Sequence, residues 1–211
     1  IDDWGANWTV GFSGYFDGNP KLLHEVGKSI EVVYYNKDWL NELGLSEPKT
    51  PAEFAEAACA ATNSTFSGRV GDTPSLGYEI DTDASNFAAW VFAHGGDVFD
   101  YDSGQYILNG PAAVAAMEFI QGMSSKGCAI AARGKYTDQQ YLGQGSVLFS
   151  AGSTSGITYF QKAIEEGYNG NWDVAPMSYT TGEPVLNLYG GGSVSYTHLR
   201  AHETKANLVC R

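Results

Sequence analysis

Apolar and polar positions along the 211-residue chain change period several times, and each change marks an element. Ser29 to Tyr35 is a run of β-branched and aromatic residues that predicts a strand. Asn36 can cap the short helical turn from Lys37 to Leu43, which Gly44 closes in the left-handed conformation. Thr50, Pro51 and Glu53 supply an N-cap hydroxyl, a proline at the first helical position and the carboxylate of a capping box. The helix they open runs to Thr62 on the spacing of Phe54, Ala55, Ala58 and Ala61.

Leu76 to Ile80 predicts a short strand, and Asp83 caps a helix from Ala84 to Gly95 with Phe87, Trp90, Val91 and His94 on one face. Asp97 to Leu108 predicts a hairpin turning at Asp102-Ser103-Gly104. Pro111 to Lys126 predicts a helix with Ala113, Val114, Met117, Ile120 and Met123 apolar and Gly127 as its stop. Val147 to Ser150 predicts a strand running into Ala-Gly-Ser-Thr-Ser-Gly at 151 to 156, with a helix after it to about Glu166. Trp172 to Pro176 and Val185 to Tyr189 predict two more strands. Strands alternating with helices give an α/β fold with a mixed sheet. Residues 1–18 hold Trp4, Trp8, Phe12, Tyr15 and Phe16 at no steady period and read as loop and turn.

Hydrophobic residues at 43% suffice for a core, while charged residues at only 17% beside 13 Tyr and 5 Trp predict a surface of rings, amides and hydroxyls rather than ion pairs. A net charge of −12 argues against nucleic acid or an anionic membrane as partner, since both attract basic patches. No run of about 18 apolar residues occurs that would span a membrane as a helix.

Val194 to Arg211 breaks with the rest, with three basic residues to one acidic and two of the four His. It resembles the translation of a sequencing adapter read through the end of a DNA fragment, which sets His198, His202 and Cys210 aside as site candidates.

Tyr-Tyr-Asn-Lys-Asp-Trp-Leu at 34 to 40, followed by Pro-Lys-Thr-Pro-Ala-Glu-Phe at 48 to 54, resembles extracellular solute-binding proteins of the sugar-binding type. The likeness continues through Trp-Val-Phe-Ala-His-Gly-Gly, Tyr-Asp-Ser-Gly-Gln-Tyr, Asn-Gly-Pro-Ala-Ala-Val-Ala-Ala-Met-Glu-Phe-Ile, Gly-Gln-Gly-Ser-Val-Leu-Phe-Ser-Ala-Gly-Ser, Trp-Asp-Val-Ala-Pro-Met and Tyr-Gly-Gly-Gly. Each piece is weak, but their order and intervals from Ser29 to Ser193 are specific.

The resemblance implies a periplasmic-binding-protein-like two-lobed fold present as a fragment, mainly the second lobe. Residues 1–31 would be the end of the first lobe with its hinge strand, 32–187 part of the second lobe, 188–193 the returning hinge strand and 194–211 a non-native tail. The implied function is the extracytoplasmic binding component of an importer driven by an ATP-binding cassette, monomeric and lipid-anchored. It would need no cofactor, metal or chemistry of its own and would deliver a sugar or polyol to a membrane permease. A secreted glycosidase or a lectin-like module is the alternative. Outside the cytoplasm Cys59 and Cys128 could form a disulfide between two helices; two buried free thiols is the other reading, and both stay open because no Cα separation is known.

A sugar-binding site needs rings for the faces of the sugar and short polar or acidic groups for its rim. In the family these sit at helix N-termini facing the hinge. Asp83, Ser85 and Asn86 open the helix carrying Trp90; Ser153, Thr154 and Ser155 lie at a Gly-flanked turn, Ser153 and Thr154 being the favoured pair; Tyr189 with Gly190 and Gly191 lies on the returning strand. Each has a structural reading beside it: Asp83 or Ser85 as a cap, Trp90 as core, the glycines as hinge. Selection for a phosphate or an amine is expected to draw on the missing lobe. Gly-Ser-Thr-Ser-Gly at 152 to 156 places Thr154 where a nucleophile elbow needs Ser, Leu22 stands where a phosphate loop needs Gly, and no zinc motif occurs.

Overall fold

A computed structural model describes residues 28–189 and the backbone of residues 15–16, 19–20, 23–25 and 192–194. Most of the region read as loop over residues 1–18, together with Gly190, Gly191 and residues 195–211 of the tail, lies outside the described residues. The chain divides into two units, Ser29–Leu188 and Ile1–Lys28 with Tyr189–Arg211. In the latter, strand β1 (Tyr15–Phe16) pairs with β2 (Asn19–Pro20), and β3 (Leu23–Glu25) pairs with the strand Gly192–Val194, both antiparallel.

Strand β4 (Ser29–Asn36) is the spine of the larger unit. Its alternation sends Val33 and Tyr35 into one core and Val32 and Tyr34 into another, so it has no wet face. Strand β9 (Val147–Ser153) runs antiparallel along one edge of β4 and β10 (Trp172–Ala175) along the other, while β11 (Leu188–Tyr189) also pairs with β4. Strands β5 (Leu76–Ile80) and β8 (Ala129–Ala131) continue the sheet, and β9, β5 and β8 are mutually parallel. The mixed sheet expected from the sequence is what forms.

Helices α1 (Lys37–Glu42), α2 (Pro51–Thr62), α3 (Ala84–Ala93) and α4 (Pro111–Ser125) pack on one face through Trp39, Phe54, Trp90 and Met123. Helices α5 (Thr137–Gly143) and α6 (Ile157–Glu166) cover the other through Leu142, Phe160 and Ile164. The caps act as their residue types require: Asn36 Oδ1 accepts from Trp39 N at 2.9 Å, and Thr50 and Glu53 exchange the two bonds of a capping box at 2.9 and 3.3 Å. Gly77 is needed in β5 because a Cβ there would overlap the Ala58 carbonyl of α2.

Several expectations change. On α4 the buried stripe is Ala113, Ala116, Ile120 and Met123, leaving Val114 and Met117 nearly half exposed, since one stripe suffices for a helix lying on one layer. On α3 the buried residues are Asn86, Ala89, Trp90, Val91 and Ala93, with Phe87 and His94 only half-buried. The strand predicted from Val185 shortens to Leu188–Tyr189. Strand β8 and helix α5 were not legible, because three and seven residues are too few to show a period. The predicted hairpin forms from β6 (Phe99–Asp100) and β7 (Gln105–Tyr106), with Gly104 at φ 68°.

Cys59 and Cys128 are bonded, with Cα atoms 4.6 Å apart. Cys128 is not in a helix: α4 ends at Ser125, and the bond ties α2 to the turn ahead of β8. With a sequence separation of 69, replacing both cysteines by alanine should cost about 4 kcal/mol of stability on a chain-entropy basis. Urea unfolding of the double variant checks this, and an unshifted midpoint would contradict it.

Candidate functional site

The carboxyl ends of the parallel strands β5, β8 and β9 open into a cleft of about 670 Å³. This is where open α/β sheets place ligands, because loops leaving neighbouring strands diverge there. From β5 come Glu79 and the loop Asp81-Thr82-Asp83, from β8 the loop Arg133-Gly134-Lys135-Tyr136, and from β9 Gly152 and Ser153. Helices α5 and α6 complete the wall with Asp138, Gln139, Tyr159 and Phe160.

The corner after β9 is held by Tyr34, whose Oη donates to Ser153 O at 2.6 Å while its ring stacks on Phe160 with centroids 3.9 Å apart. Ser153 caps the single 3₁₀ turn Thr154–Gly156, its Oγ accepting from Ser155 N at 3.2 Å. Ser153 and Ser155 therefore both line the cleft. Thr154 does not: its Oγ1 accepts from Ile30 N at 3.2 Å and secures the start of β4.

Asp83 also lines the cleft while capping α3, with Oδ1 accepting from Ser85 N and Ser85 Oγ, both at 2.8 Å. Those bonds hold its carboxyl below the usual carboxylate range. Ser85 Oγ lies between Asp83 and the buried Glu31, 3.2 Å from Glu31 Oε1, so Ser85 braces the cap from behind rather than lining the cleft. Asn86 is buried in α3. Trp90 is fully buried, donating from Nε1 to Tyr78 Oη at 3.2 Å with Phe54 and Phe119 around its ring, so the stacking-platform reading gives way to a core role. Tyr189 ends β11 in the second unit, and Gly190 lies outside the described residues.

The charged floor was not anticipated. Glu79 is only 1% exposed; its Oε1 lies 2.6 Å from Thr137 Oγ1, and its Oε2 has no hydrogen-bond partner. Burial pushes its carboxyl up, opposed by the Thr137 bond and reinforced by the charges of Asp138 and Asp81. Burial raises Asp81 and Asp138 as well. The cleft thus carries charged groups of its own. A signal was present: a carboxylate inside the apolar run Leu-Gly-Tyr-Glu-Ile is out of place in a buried strand. Two rings, Tyr136 and Tyr159, stand 69% and 64% exposed on the cleft wall, Tyr136 in the left-handed region at φ 65°. Among the described residues no group of His, Cys, Asp and Glu is placed to hold a metal ion, and no helix is long and apolar enough to cross a membrane.

The family of bacterial extracellular solute-binding proteins matches over residues 3–198. Among solved structures, the GacH receptor of Streptomyces glaucescens superposes with a TM-score of 0.66 at 20% identity, covering 85% of this chain and 44% of that one. A solute-binding protein of Agrobacterium radiobacter K84 in complex with ribitol gives 0.66 at 17%, covering 92% and 47%. UgpB of Mycobacterium tuberculosis in complex with glycerophosphocholine gives 0.63 at 20%, covering 85% and 42%. The chain spans less than half the length of these proteins, and at such identities the likeness is one of fold. No curated protein matches the sequence. Because the family match covers nearly all of it, the chain belongs to the bacterial extracellular solute-binding proteins.

Proposed function

We propose that this chain is part of the extracytoplasmic solute-binding component of an importer driven by an ATP-binding cassette, and that the cleft at the ends of β5, β8 and β9 holds a sugar or related polyol. The observation that carries the reading is the meeting in one cleft of rim-binding groups, Asp81, Asp83, Ser153 and Ser155, with two exposed rings, Tyr136 and Tyr159. Carboxylates and hydroxyls suit the hydroxyl rim of a sugar, and rings suit its C–H faces. Structural neighbours captured with acarbose, ribitol and glycerophosphocholine support the solute class.

In this reading Ser29–Leu188 is the larger part of the second lobe and supplies one wall of the site. A first lobe supplies the other, and closure of the two lobes on the solute precedes docking on a membrane permease. The solute leaves unchanged, so the protein is a carrier and not an enzyme. It acts outside the cytoplasm as a monomer, held at the membrane by a lipid in its full-length form.

Calorimetry of the full-length parent against a panel of sugars and polyols should show saturable binding with no product formed. Release of product from any glycan would overturn the carrier reading in favour of a glycosidase. The 211-residue chain alone offers one wall and should bind the same solute at least about tenfold more weakly, because hydrogen bonds from the opposite wall are lost. Equal affinity would show that the second wall is dispensable.

A further inference from the structure

We propose that the cleft selects a cationic, amine-bearing sugar or polyol, and that Glu79 at its floor is the residue that takes the ammonium group. The inference rests on the reading of the cleft as the solute site and adds the charge class of the solute. The charges of the cleft differ in depth. Glu79 is buried and Asp81 and Asp138 are half-buried, whereas the two cations of the cleft, Arg133 and Lys135, are exposed. Exposed cations are screened by water, so their positive charge compensates the floor only in part.

The floor also leaves one carboxylate oxygen unserved. Glu79 pairs in register with Ser150 of β9, on the sheet face that carries α5 and α6. Glu79 Oε2 and Ser150 Oγ are both buried without a hydrogen-bond partner. A buried carboxylate oxygen left in that state is costly, and a group that brings a donor to it recovers that cost. Thr137 has already committed its hydroxyl to Oε1 and the Gly134 carbonyl. An ammonium group brings up to three donors and a positive charge, meeting both the open oxygen and the mutual repulsion of Glu79, Asp81 and Asp138. A sugar hydroxyl brings one donor and no charge. A bare metal ion is a poorer fit, because these carboxylates do not converge on a common point.

The test uses the ¹⁵N-labelled 211-residue chain at pH 7, titrated by NMR with two matched pairs, glucamine against sorbitol and glucosamine against glucose. The cationic member of at least one pair should shift the amides of residues 79–83 and 133–139 at a concentration at least about tenfold lower than its neutral partner, the increment expected of a charge-assisted hydrogen bond. Glu79→Gln should abolish that preference by weakening the cationic member at least about tenfold, to the level of its neutral partner. Equal binding within both pairs overturns the inference and leaves the sugar-site reading standing. No shift of these amides by either amine also overturns the inference, whereas the sugar-site reading falls only if the full-length parent binds no member of the calorimetric panel.

A second measurement separates this role from a structural one. A raised folded-state pKa means that ionised Glu79 opposes folding above its unfolded pKa, more so up to its folded pKa, and not at all once acid protonates it in both states. The groups acting on it are Asp81 beyond the end of β5, Asp138 on α5 and Arg133 after β8. Glu79→Gln should therefore raise Tm at pH 7, with the gain shrinking as pH falls toward about 4. A lower Tm at pH 7 would mark Glu79 as a structural residue and overturn the assignment.

Discussion

Strand β4 has no face turned to water, and the rest of the larger unit follows from that constraint. Its alternating residues must satisfy two cores at once, Val33 and Tyr35 toward α1 to α4, Val32 and Tyr34 toward α5 and α6. A slip of one residue would exchange the two sets and put each side chain against the wrong helices. The register is further secured by Asn36, which ends the strand as the cap of α1, and by β9 and β10 along opposite edges. Tyr34 carries the constraint to the cleft, since the same phenol that fills the α6 core also bonds the Ser153 carbonyl.

The cleft is thus built on a rigid base, while its floor works against the stability of that base. Glu79 sits between Ile130 and Ser150 in the parallel part of the sheet, where an apolar side chain would fold more readily. A buried carboxyl with one oxygen unserved suits a binding site better than a core, as perturbed groups cluster where a ligand completes them. Asp83 shows the opposite treatment: two bonds from Ser85 settle its charge, fix its position and make it both a cap and part of the wall.

How much of this was legible depended on the length of the signal. Helices α2, α3 and α4 and strands β4 and β5 were readable because caps, glycines and periods agreed over five or more residues. Among the proposed site residues, Asp83 and Ser153 do line the cleft, being polar residues at the junctions where strands end and helices start. Trp90 and Thr154 do not, and the reason lies in packing: a Trp at helical spacing finds the core, and a Thr hydroxyl finds the nearest free amide. The loop from Arg133 to Asp138 was missed because the elements on either side of it, β8 and α5, are too short to be seen. Without them nothing in one dimension brings Asp138 near Glu79.

The central claim is that the solute sits at the carboxyl ends of β5, β8 and β9. A crystal structure of the full-length parent grown with the solute it binds tests this most directly. The account predicts that the solute touches Glu79, Asp83 and Ser153 with Tyr136 or Tyr159 against a face of the ring or chain. Solute bound elsewhere, with water alone between these residues, would contradict it.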